Sequence, residues 1–543
     1  MIGVNMYKVI DLFAGAGGLS LGFVLTGKYD IKVAFENNPA MQDTYRHNYP
    51  DTDVRGDVTA ADYHQIAEQF GEIDVIIGGP PCQGFSNANR QKTHAINQNN
   101  MLVKEYIRAI QELHPKAFVM ENVSMLKSDV HRFYLSNRDK NIVSSCKIKT
   151  EKAQLLLLEK DYCFGGAVSV AKNRALAESY LWPEEDYAVL NIIYKAVKNK
   201  KKLSTALEKH RRKLTALADK YLSYKREDYI AIKSAAAFQA VRDYFSGKIC
   251  ADKIRAGIKD AVCVQRMLYR VKEIYDNDLV VDSYEESRNG IYAVVESYPV
   301  YDYLKAVLGS ADNGYVINDK ILCAADYGVP QKRMRFVVVG VKKSISDKIA
   351  LPNGTFDENQ YRTVKDAIKD LEKIKPFYDI ADDKNGIKLP KASGLSELAL
   401  NLRDSDILKN HIVTKTTAVA MERFRAIKQG QNFHSLSNEM KENTYTDVKR
   451  TQNTIYLRLK YDKPSGTVIN VRKSMWIHPT KNRAVSIREA ARLQTFPDSF
   501  VFYGTKDNQY QQVGNAVPPI MAKAIAEKIA AVLEKRGDEN RDR

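Results

Sequence analysis

Short, unbroken apolar runs closed by glycine, proline or an acidic residue recur through the first 123 residues. Val9 to Phe13, Ile31 to Phe35, Asp74 to Ile77 and Ala117 to Met120 are of this kind, and a further element closes just before Gly56. Runs this short that do not alternate predict strands covered on both faces, as in a parallel sheet. Between them the period becomes that of a helix. Leu19, Phe23 and Val24 share one face; Leu102, Ile107, Ile110 and Leu113 share another until Pro115 ends it. Strand, glycine turn and helix in that order predict the first βα turn of a Rossmann-like unit, so the fold expected is α/β.

Between about 129 and 298 that rhythm fades, and Lys, Ala, Leu and Tyr dominate. Leu203, Leu207, His210, Leu214, Leu217 and Tyr221 recur at alternating spacings of three and four. This predicts a helical stripe of coiled-coil type with His210 packed on it, and the whole stretch reads as a mostly helical insertion. The α/β pattern returns near Asn313, with strands expected at Lys320 to Ala325 and Phe336 to Val339. Residues 346–482 are polar, turn-rich and without a clear period, and read as a smaller second domain. Ser486 to Leu493 is expected to be a helix, and an Ala/Ile-rich amphipathic helix closes the chain. The boundaries expected are therefore 1–128, 129–298, 299–345, 346–482 and 483–543.

At 543 residues the chain exceeds one ordinary core, so roughly two to four domains are expected. Its 44% hydrophobic and 27% charged residues are those of a soluble globular protein. No apolar run is long enough to span a membrane and no secretory pattern opens the sequence, so a cytoplasmic location is expected. The six cysteines (82, 146, 163, 250, 263 and 323) form no C-x-x-C pair, which argues against a disulfide framework or a zinc site. A formal charge of +17 suits a polyanionic partner, nucleic acid first, and also a well-solvated surface. Both readings stand for Lys195 to Arg226, where about a dozen Lys and Arg face only Glu208 and Asp219.

Candidate chemistry collects at the ends of the apolar runs. Gly78-Gly79-Pro80-Pro81-Cys82-Gln83-Gly84-Phe85-Ser86 follows the Asp74 to Ile77 strand. Two glycines permit a sharp turn, two prolines stiffen it, and Cys82 is presented where ligands bind in open α/β sheets. A thiolate is the strongest side-chain nucleophile near neutral pH, so Cys82 is the candidate nucleophile. Gly15, Gly17 and Gly18 form a G-x-G-G turn of the kind that lets a nucleotide approach the backbone. Glu36, about 20 residues on, stands where an acid takes the ribose hydroxyls of an adenosine-bearing cofactor, and Asp57 where one meets the adenine amino group. Glu121, also at a strand end, shares the rim with Cys82, and a thiol beside a carboxyl suggests a nucleophile with an acid. Arg333 and Arg335 alternate, so both are expected to project toward an anion or carbonyl on that rim.

DLFAGAGGLSLGF (11–23), Glu36, Asp57, GGPPCQGFS (78–86), Glu121-Asn122-Val123, QKRMR (331–335), SIREAARLQTFPD (486–498) and QQVGNAVPP (511–519) together resemble the DNA cytosine-5 methyltransferase family, including its restriction–modification members. The resemblance implies a Rossmann-like S-adenosylmethionine-dependent methyltransferase fold. In it 1–128, 299–345 and 483–543 would build the catalytic domain, and 346–482 the target-recognition domain. The implied reaction moves a methyl group from S-adenosylmethionine to C5 of a cytosine flipped out of a specific double-stranded DNA sequence. Cys82 would add to C6, because C5 alone is a poor nucleophile and the adduct is an electron-rich enamine. Glu121 would hold or protonate N3 and contact the amino group, Arg335 would meet the carbonyl oxygen, and Arg333 would support the loop and active site.

By the same resemblance Phe13, Ala14, Gly15, Gly17, Leu19, Glu36, Asn37, Asp57, Val58, Pro80, Leu102, Asn515 and Ala516 would line the cofactor site. S-adenosylhomocysteine is the implied product, and no metal is called for. Asn515 would return from far along the chain, packing the C-terminal helix on the N-terminal domain. Double-stranded DNA is the implied partner, a cognate restriction endonuclease the implied companion, and no membrane is involved. The departure from compact family members is 129–298, which stands where they have a short connection with one helix. A tRNA-directed enzyme of the same fold is the alternative, but that branch carries P-P-C-Q-P-F-T and C-F-T. Here Gly84 and Ser86 stand in the loop, and Cys163-Phe164 is followed by Gly. A catalytically silent DNA-binding relative would have lost the cysteine or the glycines, and both are present.

Overall fold

The computed structural model of the chain describes residues 6–81, 98–123, 126, 131–196, 200–223, 227–391, 393–442, 448 and 451–539. The fold divides into two compact units, one of residues 1–82, 101–129 and 304–543, the other of 83–100 and 130–303.

The first unit is built on a seven-stranded sheet. The chain lays down β1 (Tyr7–Leu12), β2 (Tyr29–Phe35), β3 (Asp53–Arg55), β4 (Val75–Gly78) and β5 (Ala117–Asn122) as mutually parallel strands. It then leaves for the second unit, which contributes β6 (Arg132–Tyr134), β7 (Glu151–Glu159), β8 (Val281–Ser287) and β9 (Gly290–Pro299). On returning it adds β10 (Tyr315–Cys323) and β11 (Met334–Lys342), with β11 antiparallel to β5 and β10 antiparallel to β11. The order across the sheet is β10-β11-β5-β4-β1-β2-β3. Growth therefore reverses between β1 and β4, and the crevice at their carboxyl ends is where open α/β sheets bind ligands.

β1, β2, β4 and β5 lie where the apolar runs predict them because a strand covered by helices on both faces has no polar face to alternate. The edge strand β10 instead spans Tyr315–Cys323, starting ahead of the expected Lys320 to Ala325, because the polar run Asn318-Asp319-Lys320 breaks up its apolar residues. All four residues of β4 are buried, and pairing ends there because Pro80 and Pro81 carry no N–H. The closing helix (Pro519–Glu539) lies directly on the first helix (Gly18–Val24). A methyl built on Gly22 would stand 2.3 Å from Ala522 Cβ, so only a hydrogen fits between them. Tyr29 donates its hydroxyl to Ala526 O at 2.7 Å from the adjoining strand. Ile487–Leu493 is helical, with a capping box between Ser486 and Glu489. Within 346–482, Val364, Ile412, Leu459 and Trp476 join the core of the sheet, while Ala420, Phe424, Phe433, Tyr456 and Ile477 form a smaller cluster.

The second unit combines a four-stranded antiparallel sheet (β6 to β9) with helices that include Glu184–Ala196, Tyr229–Phe245 and Ala251–Asp276. That sheet is absent from the sequence expectation. The predicted single stripe is also divided: one helix ends at Lys209 and the next starts at Arg211, with half-buried His210 between them. Leu203, Leu207, Leu214 and Leu217 nevertheless face inward, buried with Trp182 and Phe238. Part of the segment's positive charge is internally matched, by Arg211–Glu208, Lys213–Glu185 and Lys220–Asp186 pairs at 3.6, 3.1 and 3.0 Å. Lys198, Lys225 and Arg226 lie outside the described residues. Among the described residues no helix is long and apolar enough to cross a membrane.

Candidate active site at the strand ends

Parallel pairing of β4 with β5 sets Gly78 opposite Met120, so the residues that follow, Gly79-Pro80 and Glu121-Asn122, emerge side by side. Asn122 Nδ2 donates to Pro80 O at 2.8 Å and pins the base of the Pro-Pro turn. Cys82 and the loop through Ser86 lie outside the described residues. Glu121 Oε1 meets Arg335 Nε at 2.6 Å, with the two side chains only 11% and 14% exposed. The cation fixes the carboxylate's orientation and leaves Oε2 over Gly79, where an added methyl would stand 3.3 Å away. A carboxylate held beside a guanidinium presents an acceptor next to donors, which suits the edge of a planar heterocycle.

Arg333 does not share that outward position. Its guanidinium is buried and donates to Val468 O at 2.9 Å and Gly514 O at 3.0 Å. Burial, then the nearby Arg335, holds its proton affinity well below the ordinary arginine value. Gln331 works beside it: its Oε1 accepts from Val468 N at 2.7 Å and its Nε2 donates to Gln494 Oε1 at 2.9 Å. The alternating motif thus splits into two inner clamps and one outward arginine.

On the other side of the switch point, β1 runs into a turn in which Phe13, Gly15 and Gly17 take φ of +60°, +57° and +90°. A non-glycine residue in that region is strained, and such strain gathers at binding loops. Gly17 could not be replaced without conflict, since a methyl there would lie 2.5 Å from the Tyr49 ring. Gly15, by contrast, faces open space. Glu36 reaches back to this turn, accepting from Gly15 N at 2.9 Å and Asn38 N at 2.8 Å. Burial raises its carboxyl above the usual range, against the pull of those backbone donors.

The remaining predicted cofactor residues are placed as follows. Ala14 and Leu19 are buried, with Ala14 N on Phe35 O at 2.9 Å. Asn37 and Asp57 are exposed, and Asp57 accepts from Thr59 N at 2.9 Å to cap the turn Val58–Ala60, in which Val58 is buried. Pro80 is buried and Leu102 half-buried. Asn515 is exposed and accepts from Gln511 Nε2 at 2.8 Å. A methyl on Gly18 would stand 3.1 Å from Ala516 Cβ and 2.6 Å from Val517 O, so the Asn515-Ala516 segment does return to the glycine turn. Open space above Gly15, a carboxylate beside it and apolar Phe13 and Leu19 fit an adenosyl group.

Sequence reasoning missed the support beneath this turn. Gln42 Nε2 donates to Glu36 O at 2.6 Å, and Asn38 caps the helix Pro39–Asn48, for which the Asn-Pro pair is a readable signal. Deeper down, Ser20 Oγ donates to Asp11 Oδ2 at 2.6 Å and bonds Tyr45 OH at 2.7 Å, while Tyr49 OH donates to Gly17 O at 2.6 Å. Asp11 is a lone acid in the apolar run Val9-Ile10-Asp11-Leu12, and that was its signal.

Burial pushes the Asp11 carboxyl from 3.8 up to about 7; Ser20 opposes this and Glu36 adds to it. Folded chains then bind a proton that unfolded chains release. The associated stability is complete below the unfolded pKa and is lost as pH rises through about 7. Asp11→Asn is expected to flatten the decline in thermal stability between pH ~4 and ~7, a span worth at most about 4 kcal/mol. Parallel pH profiles for variant and parent in thermal unfolding would refute the assignment.

Comparison with known proteins brings these features together. A family model described as C-5 cytosine-specific DNA methylase matches residues 7–145 and 303–531, passing over most of the second unit. The type II methyltransferase M.DdeI of Desulfomicrobium norvegicum is 24% identical over 97% of this chain and 89% of its own length. The type II methyltransferase M1.HphI of Haemophilus parahaemolyticus is 26% identical over 96% of this chain and 86% of its own. A solved prophage-encoded DNA modification methyltransferase from E. coli superposes with a TM-score of 0.55 at 20% identity, covering 97% of this chain and 99% of that one, and so shares the fold.

Proposed function

Since the chain belongs to the C-5 cytosine-specific DNA methylase family and is thus a DNA (cytosine-5-)-methyltransferase, we propose that it modifies a cytosine extruded from a specific duplex sequence and bonded for the moment to Cys82. The observation that carries this reading is the Glu121–Arg335 pair standing beside the base of the loop that bears that cysteine. Attack on C6 comes from above the ring, where a stacked neighbour lies in a duplex, so the base must leave the stack. Cys82 gives its sulfur electron pair to C6, and the displaced ring electrons move toward N3. Glu121 holds N3 and the amino group as that charge grows, and Arg335 donates to the carbonyl oxygen. Arg333 acts as a positioning residue, tying the strand that bears Arg335 to the segments at 468 and 514.

S-adenosylmethionine, when bound, supplies the electrophilic methyl group. Glu36 would hold its ribose, Asp57 its adenine edge, and Phe13 and Leu19 its apolar surface. Asn515 and Ala516 would close the site from the far end of the chain. Once C5 is methylated, loss of its proton re-forms the double bond and expels the Cys82 sulfur. The two relatives named as type II methyltransferases support a place in a restriction–modification system, with a cognate endonuclease as companion and the cytoplasm as its location.

Bisulfite sequencing of DNA from cells expressing the protein identifies the target. A duplex with 5-fluorocytosine at that position is then expected to end as a stable adduct on Cys82, because fluorine cannot leave as the proton does. Mass spectrometry finding the duplex methylated elsewhere, or free of protein, would refute the covalent route.

A further inference from the structure

The helix Ala251–Asp276 in the second unit carries Arg255, Lys259, Arg266 and Arg270. At ~100° per residue these four fall within an arc of about 60°, a single cationic row about 22 Å long at the helical rise. Among the described residues none of them has a carboxylate within ion-pair distance. Among the described side chains of this helix, Asp260 pairs with Lys233 at 2.6 Å, and Asp276 with Arg174 at 2.8 Å and with Lys272. Glu159 and Glu273 act on Arg270 only from a longer range. Burial, followed by the like charge of Arg266, holds Arg270 below the ordinary arginine range.

Arg270 is explained by the fold. Its Nη1 donates to Leu156 O at 2.9 Å and Leu157 O at 3.1 Å, where the register of β7 shifts. Among the described residues the other three reach no backbone carbonyl: Arg266 is half-buried and hydrogen-bonded to Tyr187, Lys259 is half-buried, and Arg255 is exposed. They are arranged over tyrosines: Arg255 and Arg266 each 5.7 Å from the Tyr194 ring, and Lys259 5.0 Å from that of Tyr162. Ring faces hold the cations in place without neutralising them, which prepares forked donors for an anion. Cations gathered on one face without acids repel one another, and an external anion removes that cost. Without Arg270 the row runs about 16 Å at the helical rise, which still suits a run of phosphates better than one small anion.

We propose that the Arg255–Lys259–Arg266 face is a contact surface for the phosphate backbone of duplex DNA, separate in role from base recognition. Duplex DNA is favoured over other polyanions because this is a DNA-modifying chain, and because the row offers charge with no element shaped to read a base edge. The inference does not depend on the route of catalysis at Cys82. Lys195 to Arg226, more basic in sequence, is the weaker candidate because its helices neutralise several of their own cations.

The test uses the full chain and a salt series between ~50 and ~200 mM, with equilibrium binding to a target duplex and to one lacking the target. Arg255→Gln, at an exposed position, is expected to lower the slope of log K against log salt by ~0.9, and Arg255→Gln with Lys259→Gln by ~1.8. Both duplexes should weaken equally, with turnover at saturating DNA and cofactor affinity unchanged. An unchanged slope overturns the proposal. So does a loss confined to the target duplex, or to single-stranded RNA with duplex binding retained.

Discussion

Cys82→Ser is expected to lose turnover by roughly 10⁴-fold or more while still binding its duplex and cofactor. A hydroxyl is far less ionised than a thiol near neutral pH, and ring addition needs the anion. Serine also keeps the shape of the loop that Pro80 and Pro81 begin, and whose base Asn122 holds. The measurement is a single-turnover methyl-transfer assay beside gel-shift and cofactor titrations. Activity within about tenfold of the parent would remove Cys82 from the reaction. Parallel loss of duplex binding would instead make it a DNA contact.

Glu121→Gln comes next, with an expected fall of roughly 10²–10⁴ in the rate of the chemical step. The amide keeps the side chain's shape but cannot match the charge that develops on the ring, and it breaks the 2.6 Å ion pair with Arg335. Cofactor affinity should be unaffected, because Glu36, in contact with Gly15 and Asn38, belongs to the other side of the crevice. Arg335→Gln serves as the companion variant. If the pair served packing alone, both substitutions would lower thermal stability by similar amounts and leave the single-turnover rate within a few fold of the parent.

The first unit is legible in the sequence because its central strands are short, mostly apolar and punctuated by glycine and proline. β4 is the best case, since the same Gly-Gly-Pro-Pro run that ends it also begins the candidate catalytic loop. Register then brings Glu121 beside Gly79 without further assumption. The four-stranded sheet of the second unit is not legible. Leu155 to Leu158 in β7 is an apolar run that suits a buried helix as well as a strand, and β8 is mostly exposed or half-buried and lacks a clear apolar face. The break at His210 has no glycine or proline to mark it, and the apolar spacing continues across it. Alternation with Arg335 predicts a rim position for Arg333. Its actual partners are carbonyls at 468 and 514, and a backbone oxygen leaves no residue type to read.

Gly22 meets Ala522, and Tyr29 meets Ala526, across five hundred residues of chain. A ribosome adding roughly 5–20 residues each second would take about half a minute or more between making one partner and the other. Throughout that interval the first helix has no cover for the face that the final one occupies. The pocket beside it stays unfinished until Pro519–Glu539 has been made and has packed against Gly18–Val24.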